Sequence, residues 1–519
     1  MSDTYLMRKS LAILAALVAL GSPGVYAGVI TFTDVSVGAG ITESRRGREC
    51  TMVDFDLDRD LDIMVWNALN QDDQLYENMG NSTFVDVAST FGILGAVSFH
   101  EERGSGFADY NNDQRGDVFV SALHVATDET NVFFESNSDY TFSEIGSSVG
   151  IRSDTQHLGP VWSDVDEDGF SDIYVGVIPE VFTGIPGTAL LFINVDGLTF
   201  IEQASSAGVA FDGNGQAHLW WDWEDDGDQD LYIGVYFDSP TDRMRDRIYR
   251  NDGTGHFTWE AAAINSSPEK AVETQLADFD SDGLLEILVI QEDTVNVLWR
   301  DNGDGTFTNI APALNLEMDP PTPGGNPELK TDAVVADFDN DMDPDVFVTW
   351  RDLTVGGEPP NQLWINEGGT YVEVGASAGF TEEVNSIHCS AGDLNGDGFL
   401  DIYVVNNNGF GTRDTLYLND GNSNHWFEID PVGSMSNRDA IGLKVWLTAG
   451  GVTQVQELYS TTTQPTRLHF GLASNEVVDE LVLRWPRGLM ETYEDLPADQ
   501  VFRPLEGATS LAGQIVVIR

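Results

Sequence analysis

Seven Asp-rich loops of nine residues recur along this chain of 519 residues, starting at Asp54, Asp109, Asp164, Asp222, Asp278, Asp337 and Asp393. Their separations are 55, 55, 58, 56, 59 and 56 residues. Positions 1, 3, 5 and 9 carry oxygen-bearing side chains in every copy. These are Asp54, Asp56, Asp58 and Asp62; Asp109, Asn111, Asp113 and Asp117; Asp164, Asp166, Asp168 and Asp172; Asp222, Glu224, Asp226 and Asp230; Asp278, Asp280, Asp282 and Glu286; Asp337, Asp339, Asp341 and Asp345; Asp393, Asn395, Asp397 and Asp401. Hard oxygen donors at alternate positions, with Gly at position 6 for a sharp turn, are the chemistry of a calcium loop. Several carboxylates crowded into nine residues repel one another without a counter-ion. The expectation is therefore up to seven Ca2+ ions as structural parts of the fold, in preference to a sensor role.

The copies are unequal. Those at Asp164, Asp278 and Asp393 fill every position of what looks like a shortened EF-hand loop, and the fourth has Glu224 at position 3. The loops at Asp54, Asp109 and Asp337 place Arg59, Gln114 and Met342 where Gly is usual, and are expected to bind more weakly because a side chain there must accept an awkward backbone.

The elements that position these loops can be read from the flanking residues. A short apolar run precedes each loop, and a β-branched or aromatic strand follows it, such as LDIMVW, SDIYVGV or LDIYVV. A third segment ends in Asn before a Gly turn (IYRNDG, LYLNDG), and a fourth is led by Phe or Tyr (TFVDV, TYVEV). Four short strands per repeat, joined by Asn/Asp-Gly hairpins, describe a propeller blade. The fold class is thus all-β, with a seven-bladed β-propeller over residues 28–422. The last repeat lacks its Phe-led strand, and the spare copy TFTDV (Thr31–Val35) stands ahead of the first loop. The N-terminal strand is therefore expected to complete the last blade and remove two sheet edges. Cys50 and Cys389 each lie four residues before a loop, in the blades that closure makes neighbours. A disulfide across that seam and two buried free thiols both remain open. Equivalent positions point the same way around a ring, whereas a disulfide needs Cβ atoms that face each other.

Residues 1–27 have a basic start, an apolar stretch Leu11–Leu20 and a small-residue end at Ala27, the pattern of a secretory signal peptide too short to span a membrane. An exported chain, extracellular or periplasmic, is expected. The formal net charge of −61 argues against nucleic acid and against insertion into an anionic membrane.

From residue 28 to about 422 the repeats resemble the FG-GAP/VCBS class of calcium-binding propellers. Residues 423–519 contain NHW (Asn424–Trp426), SNRDAIG (Ser436–Gly442), a hairpin around TAGG (Thr448–Gly451), RLHFGL (Arg467–Leu472) and VDELVLRWPRG (Val478–Gly488). They read as a small β-module that resembles the ASPIC/UnbV domain, which follows such repeats in the cartilage acidic protein family. The resemblance implies an extracellular calcium-binding protein. Vertebrate members carry a cysteine-rich EGF-like module that two cysteines cannot build, so matrix functions tied to it are not carried over.

Some motifs carry less than they spell. GASAG (Gly375–Gly379) has the G-x-S-x-G form but aligns with ASSAG and ASTFG in sister repeats, so it reads as a link, not a nucleophile elbow. Arg115-Gly116-Asp117 spells an integrin tripeptide inside the second metal loop. His157, His218 and His388 stand just before their loops and read as satisfied inner-strand residues. Recognition is expected on the face opposite the metal loops, where the linking segments vary most. There Arg243, Arg245 and Arg247 form a possible ligand face, with Arg46, Arg48, Glu101, Arg103, Lys330 and Asp332 near the channel mouth. No catalytic residue is assigned. The leading reading is a secreted, non-catalytic binding, surface or matrix-interaction protein with an extracellular protein or glycan partner. The alternative is a carbohydrate-active enzyme, a polysaccharide lyase or sugar dehydratase, with its site at the channel mouth.

Overall fold

A computed structural model describes residues 30–68, 71–93, 101–123, 131–151, 157–177, 187–237, 245–261, 263–264, 270–318, 329–351, 360–407, 412–508 and 517–518. Residues 1–27, expected as a signal peptide, and Arg243 lie outside the described residues, as do the side chains of Glu101 and Arg103. Among the described residues no helix is long and apolar enough to cross a membrane.

The chain folds as strands because its apolar residues alternate in short runs cut by Gly turns. Seven four-stranded antiparallel units are present among the described residues, two of them joined at their inner edge by one parallel bridge between Val177 and Asn214. The first unit shows the pattern: Gly47–Val53, Asp62–Asn67, Gln74–Asn78 and Phe84–Asp86 lie side by side in chain order. The innermost strands, from Gly47–Val53 to Ser386–Gly392, each pack on the next, and the last packs on the first. The result is a closed, propeller-like ring. Phe32–Asp34 pairs antiparallel with Thr415–Asn419, so the N-terminal strand is the outermost strand of the last unit, as its sequence led us to expect.

Large apolar side chains fill the spaces between neighbouring units. Trp66 and Phe134 share one such cluster, and Tyr174, Trp220 and Phe257 another. The cysteines fall in separate clusters. Cys50 packs with Tyr403 and Val405 on one side of the last unit, and Cys389 packs with Phe338 and Phe347 on its other side. Both are buried free thiols. The disulfide is therefore not formed, because equivalent register positions send the two side chains into successive interfaces.

One-turn helices follow the Phe-led strands, Gly375–Ala378 among them. The Ser377 hydroxyl there donates to the Val374 carbonyl at 2.8 Å, as a link residue should.

Two further sheets form the C-terminal module: His425–Ile429 with Leu468–Ala473 and Gln500–Phe502, and Lys444–Ala449 with Val452–Glu457, Val477–Arg484, Met490–Pro497 and Val517–Ile518. Their facing sides enclose a core that includes Phe427, Val445, Leu481 and Trp485. This module lies on the face of the ring that carries the Asp loops. The Asp439 carboxylate accepts the Asp109 amide, His469 meets Asn340 at 2.7 Å, and Gly471 sits so close to the sixth loop that a Cβ would fall 2.0 Å from the Asp337 carboxylate.

Candidate metal centres

Every loop is built on the same backbone. Positions 4 and 6 are left-handed throughout, for example Glu167 at φ 59° and Gly169 at φ 97° in the third. Arg59, Gln114 and Met342 adopt φ of 87°, 78° and 87° at position 6. The turn is therefore kept even where a side chain must bear its cost.

The position-9 carboxylate works as a clasp. One oxygen of Asp172 accepts the Val165 amide at 3.0 Å, and the other accepts the Asn194 amide at 2.7 Å. The same pair of bonds recurs at Asp62, Asp117, Asp230, Asp345 and Asp401. Glu286 keeps the first of the two, from Phe279 at 2.9 Å. The Asn that ends the third strand then reaches back to the preceding unit. Asn194 donates to the Tyr110 carbonyl, Asn251 to Val165, Asn366 to Phe279 and Asn419 to Phe338. Asn78 donates to Leu394 and so joins the first unit to the last.

Four loops gather their acids. Donor oxygens of Asp54, Asp56 and Asp58 lie within 4.8 Å of one another, as do those of Asp164, Asp166 and Asp172, of Asp278, Asp280 and Asp282, and of Asp337, Asp339 and Asp345. Position 1 is anchored from below. Asp164 accepts the amides of Asp168 and Gly169, both at 2.9 Å. At position 3, one oxygen each of Asp166, Asp280 and Asp339 is buried without a hydrogen-bond partner, as are one of Asp54 and one of Glu286. Buried polar atoms are nearly always satisfied. Buried carboxylate oxygens that converge without donors fit a divalent cation. Burial, reinforced by Asp280, pushes Glu286 up to about 10, and burial pushes Asp62 up to about 9. These carboxyls are costly to ionise with no cation beside them.

The remaining three loops differ. In the second, the Arg115 guanidinium binds Asp113 and the Asn111 side-chain amide turns to Glu135 at 3.3 Å. Asp117, the last residue of the integrin-like tripeptide, is fully buried there. In the fourth, Asp222 contacts Arg484 of the terminal module, and Glu224 faces Arg250 at 3.6 Å. In the seventh, one oxygen of Asp393 accepts the amides of Asn395, Gly396 and Asp397, so the backbone absorbs the group that would lead a metal site. The gathering of acids thus does not follow the presence of Gly at position 6. The first and sixth gather acids despite Arg59 and Met342, and the seventh does not despite Gly398.

A second site carries no motif, but Arg48, Lys330 and Asp332, expected near the channel mouth, stand in its wall. In each innermost strand the ladder slips at the same level, between Gly47 and Glu49, Ala271 and Glu273, Lys330 and Asp332, Ser386 and His388, and their counterparts. A bulge re-aims side chains, and here the residues around it line an axial cavity of about 300 Å3. Its wall includes Arg48, Glu49, Glu273, Lys330, Asp332, Tyr236 and Arg351. Glu292 accepts from Tyr236 at 2.6 Å and from Arg351 at 2.7 Å, and Lys330 donates to the Met318 carbonyl at 3.0 Å. The end toward the metal-loop face is stopped by the module segment Tyr459–Thr462. Beside it, Thr463 accepts the Ala391 amide at 2.8 Å, and Thr462 meets His388 at 3.0 Å. Burial lowers His218 to about 4 and His388 to about 3, and His157 is fully buried against Asn131.

Of the expected ligand face, Arg245 and Arg247 fall among the described residues and Arg243 does not. The Arg247 guanidinium lies over the rings of Phe211 and Trp259, at 4.3 and 4.6 Å, so its role is packing, whereas Arg245 is exposed. Arg46 reaches Asn407 at 3.5 Å, away from the cavity wall.

Comparison with known families agrees with the repeats and the terminal module. The FG-GAP-like repeat profile matches residues 54–120, 109–175, 222–289, 278–348 and 349–404, and the ASPIC and UnbV profile matches residues 433–510. No curated protein matches the chain. Solved structures with similarity include rhamnogalacturonan lyase YesW (12% identity, TM-score 0.39, covering 74% of this chain and 75% of that one). A rhamnogalacturonan lyase from Bacillus licheniformis has 11% identity, a TM-score of 0.39 and 76% coverage of each chain. An endo-arabinase from Bacteroides thetaiotaomicron has 15% identity and a TM-score of 0.30, covering 51% of this chain and 95% of that one. With repeat matches over more than half its length and the terminal module matched as well, the chain belongs to the FG-GAP-like repeat proteins that carry an ASPIC and UnbV domain.

Proposed function

We propose that the protein is an exported calcium-binding propeller that acts as a non-catalytic binding or surface protein. It holds Ca2+ in the loops that begin at Asp54, Asp164, Asp278 and Asp337. The observation that carries this reading is the convergence of buried, donor-less carboxylate oxygens, Asp166, Asp280 and Asp339 above all. Oxygen-only donors favour a hard cation, and an acidic loop of this spacing favours Ca2+ over softer metals. Because the terminal module covers the metal-loop face, the opposite face is the one left for an extracellular protein or glycan, with no nucleic acid among the partners.

Calorimetric titration of chelated protein tests it. Calcium should bind, and Asp166→Asn, Asp280→Asn and Asp339→Asn should each remove about one ion. At a thousandfold excess over Kd an ion adds about 4 kcal/mol to stability, so chelation should lower the melting temperature. An unchanged melting curve would sink the reading.

One observation favours a second reading, a carbohydrate lyase or dehydratase. Tyr236, His388, Lys330 and Arg351 share the axial cavity with Glu49, Glu273 and Asp332. A glycan array followed by product analysis separates the two, since binding without turnover removes the enzyme.

A further inference from the structure

Loop four meets cations that the chain itself supplies. In the terminal module, Lys444 stands directly opposite Arg484 on the neighbouring strand. Like charges facing across a ladder destabilise it, so two cations in register need acids to share. Lys444 Nζ is 3.1 Å, and Arg484 Nη1 2.9 Å, from the same oxygen of Asp225 at loop position 4. Arg484 Nη2 also contacts Asp222, the buried carboxylate at position 1. The Trp446 ring lies 5.8 Å from the Lys444 ammonium and 5.9 Å from the Arg484 guanidinium, which adds cation–π support to both. On the other flank of Lys444, Glu457 accepts the Asp222 amide at 2.9 Å and the Gln229 side-chain amide at 3.0 Å. The fourth loop is therefore clasped at its entrance by three residues of one module.

We propose that the Lys444–Arg484 pair is the built-in counter-ion of the fourth loop. The loop takes no calcium and instead fastens the terminal module to the ring. Arg300 also meets Asp280 of the fifth loop, at 3.1 Å, but leaves that carboxylate's other oxygen without a partner. In the fourth loop two cations, Arg484 and Lys444, share Asp222 and Asp225, and a divalent ion added there would face both at a few ångströms. The loop's sequence is that of a metal site, but its acids are already neutralised. Calcium in the fourth loop and docking of the module there are mutually exclusive. The proposal deepens the calcium reading and rests on it for the other loops.

The test counts ions bound by the full chain, by native mass spectrometry and calorimetry. Asp222→Asn should lose no ion while Asp166→Asn loses one. The double variant Lys444→Met, Arg484→Met should gain one. Loss of an ion in Asp222→Asn, or no gain in the double variant, overturns the proposal. A thermal unfolding cycle decides the clasp even if no form binds calcium, in which case the calcium reading is what falls. Combined Asp222→Asn and Arg484→Met should melt no lower than the weaker single variant, and additive losses overturn the clasp.

Discussion

Glu49 keeps its proton where an exposed glutamate would lose it. Burial raises it from 4.5 to about 7, although Ser105 donates to it from both its amide and its hydroxyl. The folded chain therefore holds a proton that the unfolded chain releases. The stability this contributes is full below about pH 4.5 and is lost as pH climbs to about 7. Glu49→Gln keeps an oxygen for Ser105 and removes the titration. Its melting temperature should vary less across that window than that of the wild type, and parallel curves would refute the argument. Nothing in the sequence announces Glu49 as an axial residue. It follows a bulge whose inserted residue is Arg48, and inserted residues at this level are as unlike as Arg48, Val272, Thr331 and Ile387. Bulge placement here belongs to the backbone of the ring, so no residue type marks it. The Asp loops are the opposite case. Their acids were readable at every position because side-chain oxygens carry the chemistry directly. Which loops gather those acids depends on Arg484, Arg115 and the amides around Asp393, and only the folded chain brings these together.

Among elements, the third strand holds the units together through the Asn at its end. Asn251 has its amide hydrogens on the carbonyls of Val165 and Gln229, at 2.8 and 3.1 Å, all of them buried. Asn251→Ala would strand those carbonyls, at a cost of about 1–3 kcal/mol, measurable by denaturant unfolding. A loss within error would show that water replaces the latch. Two units lack it. The equivalent strand ends in Ser136 in the second and in Asp301 in the fifth. The hydroxyl of Ser136 is itself buried without a partner. The repeat pattern made the strands and the closing strand legible, since alternation and Asn-Gly turns are local. It showed the shared Asn without its reach, because the acceptor lies some 80 residues earlier, on another unit.

At the scale of the molecule, two long-range contacts govern the ring. One is the terminal module, whose segment Tyr459–Thr462 lines the axial cavity. The second is the pairing of Phe32–Asp34 with Thr415–Asn419, supported by Thr31 and Thr33 donating to Asp420 at 2.7 and 2.9 Å. Beside it, Gly379 (φ 111°) passes so near Phe32 that a Cβ would stand 2.5 Å from its carbonyl. Removing residues 30–35 should leave Thr415–Asn419 as a bare edge and drive self-association, visible as a rise in light scattering. A monomer that melts like the wild type would show that closure is dispensable. The contact also orders events in the life of the chain. Thr31 is synthesised long before Asp420, 389 residues downstream, with which it must bond. The ring cannot be sealed until the last repeat has been made. The nascent N-terminal strand must wait unpaired, a free sheet edge in search of a partner, until the final repeat has emerged.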